Sequence, residues 1–319
     1  MKISIIIPVY NEAENLPLLQ KALQDTMEKL GMPWQVVYVD DGSVDNSLDV
    51  LNGLGCADPD HSCVVVLRRN YGQTAAIAAG IDHSDGDVII LMDADLQNDP
   101  GDIPMMMDKI VEGYDVVSGW RVHRQDTFFT RTLPSRLANS LISVVTGVHL
   151  HDYGCTLKAY RREVITGFRL YGEMHRFIPA FASRVGAKII EVPVHHHARK
   201  FGKAKYGLER TIKVVLDLFT VKFLLSYADR PIYLFGGTGL IMMALSAIVL
   251  LFLLIRRVVI GVPVLGSPFF ILAMMVSILG FQSILMGLIA ELLARTYHES
   301  QQKLTYTVRR VINGHGQSL

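Results

Sequence analysis

Two stretches near the C-terminal end limit what this chain can fold into more than any other feature. Residues 232–255, IYLFGGTGLIMMALSAIVLLFLLI, run for 24 positions without a charge, and residues 268–290, PFFILAMMVSILGFQSILMGLIA, run for 23 more. As a helix the first would be about 36 Å long at ~1.5 Å per residue, enough to cross a hydrocarbon core of about 30 Å. The link between them, RRVVIGVPVLGS, is short and carries Gly and Pro. The pattern predicts a transmembrane helical hairpin, because core helices of water-soluble proteins rarely stay uncharged for so long.

The remaining composition agrees with a chain of two characters. Half of its 319 residues are hydrophobic (50%), and the excess falls after about residue 230. Lys plus Arg total 31 against 30 for Asp plus Glu, so no bulk charge points to nucleic acid. The N-terminal MKISIIIPVYNEAEN has one Lys and a short β-like run that meets Pro8 and then charge, unlike a signal peptide. The large domain is therefore expected in the cytoplasm. Two spans return the chain to the side it left, so both termini are expected inside, at the inner (plasma) membrane. Lys222 and Arg230 before the hairpin, and Arg295, Lys303, Arg309 and Arg310 after it, agree with the positive-inside rule; Arg256 and Arg257 in the outer link oppose it. Cys56, Cys63 and Cys155 have no metal-type spacing and fit a reducing compartment.

Before the hairpin, short apolar runs alternate with helical patterns. Strands are predicted at 3–8, 34–41, 62–69, 87–96 and 115–121, with helical patterns between them. This alternation implies an α/β fold with a mainly parallel sheet, and strands apolar throughout imply that both faces are covered. Ligands of such sheets bind beyond the carboxyl ends of the strands. PVYNE, DDGS, RRNYGQ, DADLQ and GWR all fall there. The expected division is a domain over 1–209, a juxtamembrane amphipathic helix over 210–230, the hairpin over 231–295 and a cytoplasmic tail over 296–319. A further amphipathic stretch, 133–148, places Leu133, Leu137, Leu141 and Val144 at helical spacing and suits the membrane interface.

The apolar run VIILM ends in Asp93, Asp95 and Asp99, with Gln97 among them. Alternate residues of an extended chain share a side, which would bring Asp93, Asp95 and Gln97 together. Two carboxylates and an amide oxygen suit a hard cation, Mg²⁺ or Mn²⁺, that also binds substrate phosphates. Asp99 and Asp102 read instead as helix-start residues. His195, His196 and His197 look metal-like, but consecutive rings in an extended segment alternate sides, which disfavours a shared metal. GGTG (236–239), Gly280 and Gly287 read as helix-packing positions, and Gln282 as a helix–helix hydrogen bond.

Taken together and in order, IIIPVYNEAENL, VDDGSVDNS, NYGQTAAIAAG, MDADLQNDP, HDYGCTLKAYRR and KFGKAKYG resemble family 2 glycosyltransferases of the GT-A (Rossmann-like) fold. The resemblance is to the branch that makes polyprenyl-phosphate sugars, such as bactoprenol glucosyltransferases, dolichol-phosphate mannose synthases and undecaprenyl-phosphate aminoarabinose transferases. It covers nearly the whole chain. It implies a nucleotide-sugar donor, an undecaprenyl or other polyprenyl phosphate acceptor, a lipid bilayer and a homo-oligomer, a tetramer by preference. It implies that Pro8, Tyr10, Glu12 and Asp40 form the base and ribose pocket, and that Asp93, Asp95 and Gln97 hold the metal and donor diphosphate. Arg121, Arg131 and Ser135, with Arg124 less clearly placed, match positions that receive the lipid phosphate. Asp152 matches an aspartate that acts as base or positions the acceptor. Arg199 and Lys205 match a basic loop over the diphosphate; Ala204 stands where many relatives carry Ser, which puts one hydroxyl contact in doubt. The expected donor is UDP-glucose, with GDP-mannose and UDP-4-formamido-arabinose as alternatives. A processive polysaccharide synthase fits less well, since neither Trp34 nor Trp120 lies in a Gln-x-x-Arg-Trp motif and two spans make a poor channel. A non-catalytic lipid-carrier binder fits less well because Asp93, Asp95, Arg121 and Lys205 are all present.

Overall fold

The computed structural model describes residues 1–122, 139, 142–144, 146–166, 170, 174–198, 232–300 and 305–313. The chain divides into two compact units, Met1–Val221 with Leu304–Leu319, and Lys222–Lys303.

The first unit is built on an eight-stranded sheet: β1 (Ile3–Val9), β2 (Trp34–Asp40), β3 (Ser62–Leu67), β4 (Val88–Leu91), β5 (Val116–Trp120), β6 (Lys158–Arg161), β7 (Ile189–Pro193) and β8 (Val308–Ile312). The spatial order is β7-β5-β6-β4-β1-β2-β3-β8. The four strands at its centre pair in parallel, as do β5 and β7, while β6 and β8 run antiparallel to their neighbours. Helices α1 (Leu16–Leu30), α2 (Ser47–Ala57), α3 (Gln73–Asp82), α4 (Ile103–Val111), α5 (Arg162–Ile165) and α6 (Ile178–Arg184) lie between the strands in sequence.

Periodicity explains how the core closes. Ile3, Ile5, Ile7 and Val9 alternate along β1, while Leu16, Leu19, Leu23 and Met27 recur at helical spacing along α1, and all eight are fully buried in one cluster. Each such side chain contributes about 1.5–3 kcal/mol by leaving water. On α3, Gly80 allows close approach: a Cβ there would lie 2.2 Å from a methyl carbon of Ile6. Gly31 ends α1 in the left-handed region (φ 67°), returning its N–H to the Met27 carbonyl.

Register then gathers the site. Val9 pairs with Asp40, Ile6 with Leu91, Leu91 with Lys158, and Trp120 with Pro193. The carboxyl ends of β1, β2, β4, β5 and β7 therefore share one edge with the start of antiparallel β6.

The structure alters three readings of the sequence. The strand expected over 87–96 stops at Leu91, because the chain turns at Ala94–Asp95 and Leu96 takes a left-handed backbone (φ 59°). Residues 296–319 are not all tail: Val308–Ile312 pairs antiparallel with β3 as the outermost strand. The Tyr306 hydroxyl donates to Asp82 at 2.8 Å, and Asn313 donates to the Gly55 carbonyl. Strands β6, β7 and β8 carry charges that hid them from an apolar-run reading.

The second unit is a pair of helices, α7 (Ile232–Ile260) and α8 (Pro268–Ser300). Ile232–Ile260 and Pro268–Ala290 are long and apolar enough to cross a membrane. The helices meet through small residues. A Cβ on Gly239 would lie 2.5 Å from the Gly280 carbonyl, and one on Gly280 2.8 Å from the Gly239 carbonyl. Gly236 and Gly287 extend this contact, whereas a Cβ on Gly237 would meet nothing within 4 Å. Ser246 donates to the Ala273 carbonyl and Ser283 to the Phe235 carbonyl, each at 2.7 Å. Gln282 is exposed, so the interhelical bond expected of it is made by its neighbour Ser283.

Candidate active site

Two loops are zipped together where β1 and β2 end. Asn11, at φ 55°, donates its backbone N–H to the Ser43 hydroxyl at 3.0 Å and accepts from the Val44 N–H at 2.8 Å. The Glu12 N–H donates to Ser47 Oγ at 2.8 Å, and the Glu12 carboxylate accepts from Asn15 Nδ2 at 2.6 Å. Pro8, Tyr10 and Glu12 are half-buried, and Asp40 is buried at the neighbouring strand end. The Asp40 carboxylate accepts from the Ser43 N–H at 3.3 Å. The four residues assigned to a nucleotide by resemblance thus sit on adjacent strand ends.

Asp41 belongs with them, although the sequence reading passed it over. It is buried and accepts the N–H groups of Tyr71 (2.7 Å) and Gly72 (2.9 Å). Burial raises its pKa, and those two bonds oppose the rise. Gly42 must stay glycine: its φ is 70°, and a Cβ would lie 2.7 Å from the Arg69 backbone.

Asp93 and Asp95 stand just past β4. Asp93 Oδ1 accepts from Gln73 Nε2 at 2.8 Å, and its Oδ2 accepts from the Thr156 hydroxyl. Asp95 Oδ1 accepts the Gln97 N–H at 3.2 Å, which closes the turn. The pairing of the two aspartates is therefore a product of the turn, not of strand alternation. Burial, and then the negative charge of Asp95, push the Asp93 carboxyl up to about 6. Among the described residues no group of three or more His, Cys, Asp or Glu could hold a metal ion. The pair with Gln97 offers oxygen atoms only, the chemistry that Mg²⁺ or Mn²⁺ prefers when substrate phosphates complete the shell.

Arg121 and Asp152 form the second focus. The guanidinium donates from Nε to Asp152 Oδ2 at 2.7 Å and from Nη2 to Oδ1 at 3.0 Å, with side-chain exposures of 14% and 3%. Asp152 Oδ1 also accepts the Gly154 N–H at 3.1 Å. Next to Arg121, the Trp120 ring stacks on His151 (4.4 Å, 19°). Buried Lys158 donates to the carbonyls of Tyr153 and Cys155, pinning the loop between Asp152 and β6; burial lowers its pKa. Thr156, on that same loop, reaches Asp93 and joins the two foci.

The histidine run serves as a fastener. His195 Nδ1 bonds Asp102 at 2.7 Å and His197 Nε2 bonds Asp99 at 2.9 Å. The His197 N–H donates to the Gln97 carbonyl at 2.9 Å. Asp99 also caps the short 3-10 turn Pro100–Asp102 through the Gly101 N–H, whereas the Asp102 side chain makes no cap and binds His195 instead. Arg124, Arg131, Ser135, Arg199 and Lys205 lie outside the described residues, as do 210–230 and most of 133–148. Of the groups missed by sequence reasoning, Gln73, Thr156 and Lys158 stood inside conspicuous motifs.

Residues 4–168 match the family described as glycosyl transferase family 2. A dodecaprenyl-phosphate galacturonate synthase of Rhizobium johnstonii is 39% identical over 321 residues, covering 100% of this chain and 95% of its own. An undecaprenyl-phosphate 4-deoxy-4-formamido-L-arabinose transferase of an Enterobacter species is 39% identical over 313 residues, covering 98% and 94%. In fold, the chain is similar to glucosyl-3-phosphoglycerate synthase from Mycobacterium tuberculosis, solved with Mn²⁺, uridine diphosphate and phosphoglyceric acid. The TM-score is 0.54 at 18% identity, covering 69% of this chain and 78% of that one.

Proposed function

This chain belongs to glycosyl transferase family 2, in its polyprenyl-phosphate branch and with the GT-A fold, and we propose that it transfers a sugar from a nucleotide diphosphate to a polyprenyl phosphate at the membrane surface. The observation that carries this reading is the 39% identity running through the whole chain, hairpin included, to relatives named for that transfer.

The acceptor is a phosphate monoester with a second pKa of about 6, so at pH 7 it is mostly a dianion and a competent nucleophile. Its approach to a donor diphosphate needs cations of its own. Arg121 presents a planar fork suited to phosphate oxygens, and the family resemblance adds Arg131 and Ser135 to the acceptor's partners. Asp152 has both oxygens on Arg121 and one also on Gly154, which favours a positioning role over a proton-accepting one. In-line attack at the anomeric carbon inverts its configuration. Pro8, Tyr10, Glu12 and Asp40 take the nucleoside. Asp95, with Asp93 and Gln97, would hold Mg²⁺ or Mn²⁺, which when bound neutralises the leaving diphosphate. Burial first, and then the charge of Asp95, raise Asp93, so the two carboxylates stand close enough to repel each other. Arg199 and Lys205 add positive charge over the same diphosphate.

The hairpin, and relatives named for polyprenyl-phosphate transfer, support placement at the inner membrane. The pairing of β8, which follows the second helix, with β3 supports a reading in which the chain before and after the hairpin lies on one side of the bilayer. That side is the cytoplasm in this reading, where nucleotide sugars are made. The relatives' names favour galacturonate or 4-formamido-arabinose over the glucose that the sequence first suggested. The assembly is a homo-oligomer, a tetramer by family resemblance, which light scattering in detergent would count.

A donor panel tests the reaction. Purified protein in detergent is mixed with undecaprenyl phosphate, Mg²⁺ or Mn²⁺, and labelled UDP-galacturonate, UDP-4-formamido-arabinose, UDP-glucose or GDP-mannose, and the lipid phase is counted. Label from one donor, reduced about a hundredfold or more by Asp95→Ala, establishes the transfer and names the sugar. No labelled lipid from any donor, alongside an active relative, would sink the catalytic reading.

A further inference from the structure

Glu191 has no part in the chemistry above, yet it is the best-connected carboxylate near Asp152. Its Oε2 accepts the His151 backbone N–H at 3.0 Å and the His151 ring Nδ1 at 2.7 Å, and its Oε1 accepts the Asp152 backbone N–H at 2.9 Å. The Glu191 side chain is 10% exposed, whereas the His151 ring that it meets is 70% exposed. Glu191 lies in β7 opposite Ser118 of β5, three residues before Arg121. One residue therefore ties the two sides of the Arg121–Asp152 pair: its backbone pairs with β5, which leads to Arg121, and its carboxylate holds the Asp152 backbone.

That arrangement answers a geometric need. A two-point guanidinium–carboxylate contact holds only when both planes agree closely. Arg121 is fixed by the end of a regular strand, but Asp152 sits in an irregular loop. Other ties hold that loop from the side: Trp120 stacks on His151, and Asn139 Nδ2 donates to the His151 carbonyl at 2.7 Å. Only the Glu191 bonds, among the described contacts, capture the backbone N–H of Asp152 itself.

We propose that Glu191 is a positioning residue for acceptor use: it orients Asp152, which in turn sets the angle at which Arg121 meets the lipid phosphate. This rests on the reading that Arg121 contacts the acceptor. Glu191→Ala leaves two backbone N–H groups without their acceptor. Glu191→Gln keeps the shape but replaces one oxygen by a donor, so one N–H faces another donor.

The test measures binding by full-length protein in detergent, using undecaprenyl phosphate for one ligand and UDP with Mg²⁺ for the other. Glu191→Ala is expected to weaken undecaprenyl phosphate binding about tenfold, and Glu191→Gln by less, with UDP affinity unchanged within about twofold. Arg121→Ala weakens the lipid at least as much. If Arg121→Ala weakens the lipid and both Glu191 variants leave it unchanged, the proposal fails and the acceptor reading stands. If Arg121→Ala has no effect on the lipid either, the acceptor reading fails and takes the proposal with it. Equal loss of both ligands with a lowered melting temperature, or failure of both Glu191 variants to fold, marks a purely structural residue and overturns the proposal.

Discussion

The two units of this chain differ in what they bury. In the sheet unit Ile5, Ile7, Leu19 and Val36 are fully buried, and polar side chains gather at one strand edge. In the hairpin, Gly236, Gly239, Ser246 and Gly287 lie inside the contact, while Ile241, Ile248, Phe252 and Phe269 are each more than 60% exposed. The difference follows the solvent. Burial of apolar surface drives the first unit together in water. Lipid tails give no such drive, so the second unit depends on close backbone approach and hydrogen bonds such as Ser246 to Ala273.

The same truncation should cost unequally in the two units. Ile7→Ala removes a fully buried side chain from the sheet and is expected to destabilise by about 3 kcal/mol. Ile248→Ala, at a position 63% exposed on the hairpin, should cost under ~0.5 kcal/mol. Denaturant unfolding in detergent compares the two; equal costs would break the contrast. Gly280→Leu attacks the hairpin where it is tightest, since even a Cβ would lie 2.8 Å from the Gly239 carbonyl. A loss of about 2 kcal/mol is expected, read as a lowered melting temperature in detergent.

A buried polar group in the sheet unit gives that unit its own pH dependence. His175 is buried, shares a 2.7 Å hydrogen bond with the Thr74 hydroxyl, and has its pKa pushed down from 6.5 to about 3 by burial and then by Arg176 and Lys158. The folded state keeps it neutral, whereas the unfolded chain protonates it below about 6.5. The unfolded state thus binds more protons between pH 6.5 and about 3, and stability falls as pH falls through that window. Between pH 7.5 and 5.5 the wild type should lose about 1.4 kcal/mol more than His175→Gln, measured by denaturant titration at each pH. Parallel acid limbs would contradict this. A further small effect has the opposite sign. Gly53 lies inside α2, where a Cβ would meet nothing within 4 Å. Gly53→Ala should stabilise by about 0.5–1 kcal/mol, the reverse of Gly280→Leu, read by the same denaturant titration.

Much of this was legible in sequence where the signal is local. The runs at β1 to β4 are apolar and contiguous, and the hairpin spans are longer still. Strands β6, β7 and β8 (KAYR, IIEVP and VRRVI) mix charge into short segments, so only their neighbours reveal them. The aspartates past β4 stood out as a pair, but the reason first assigned to their proximity, strand alternation, gave way to a turn at Ala94–Asp95 with Leu96 left-handed.

Composition and period alone determined that this chain has a water-facing α/β part, a membrane-suited hairpin and a carboxylate-rich strand edge, because each depends on residues close together in the chain. Tertiary structure alone decided that Arg121 grips Asp152, 31 positions away, that Glu191 steadies Asp152 from 39 further, and that Thr156 ties Asp93 to the same loop across 63. Such pairings arise from sheet order and register. A parallel sheet brings strand ends together regardless of their distance in sequence, and no local pattern records which ends will be neighbours.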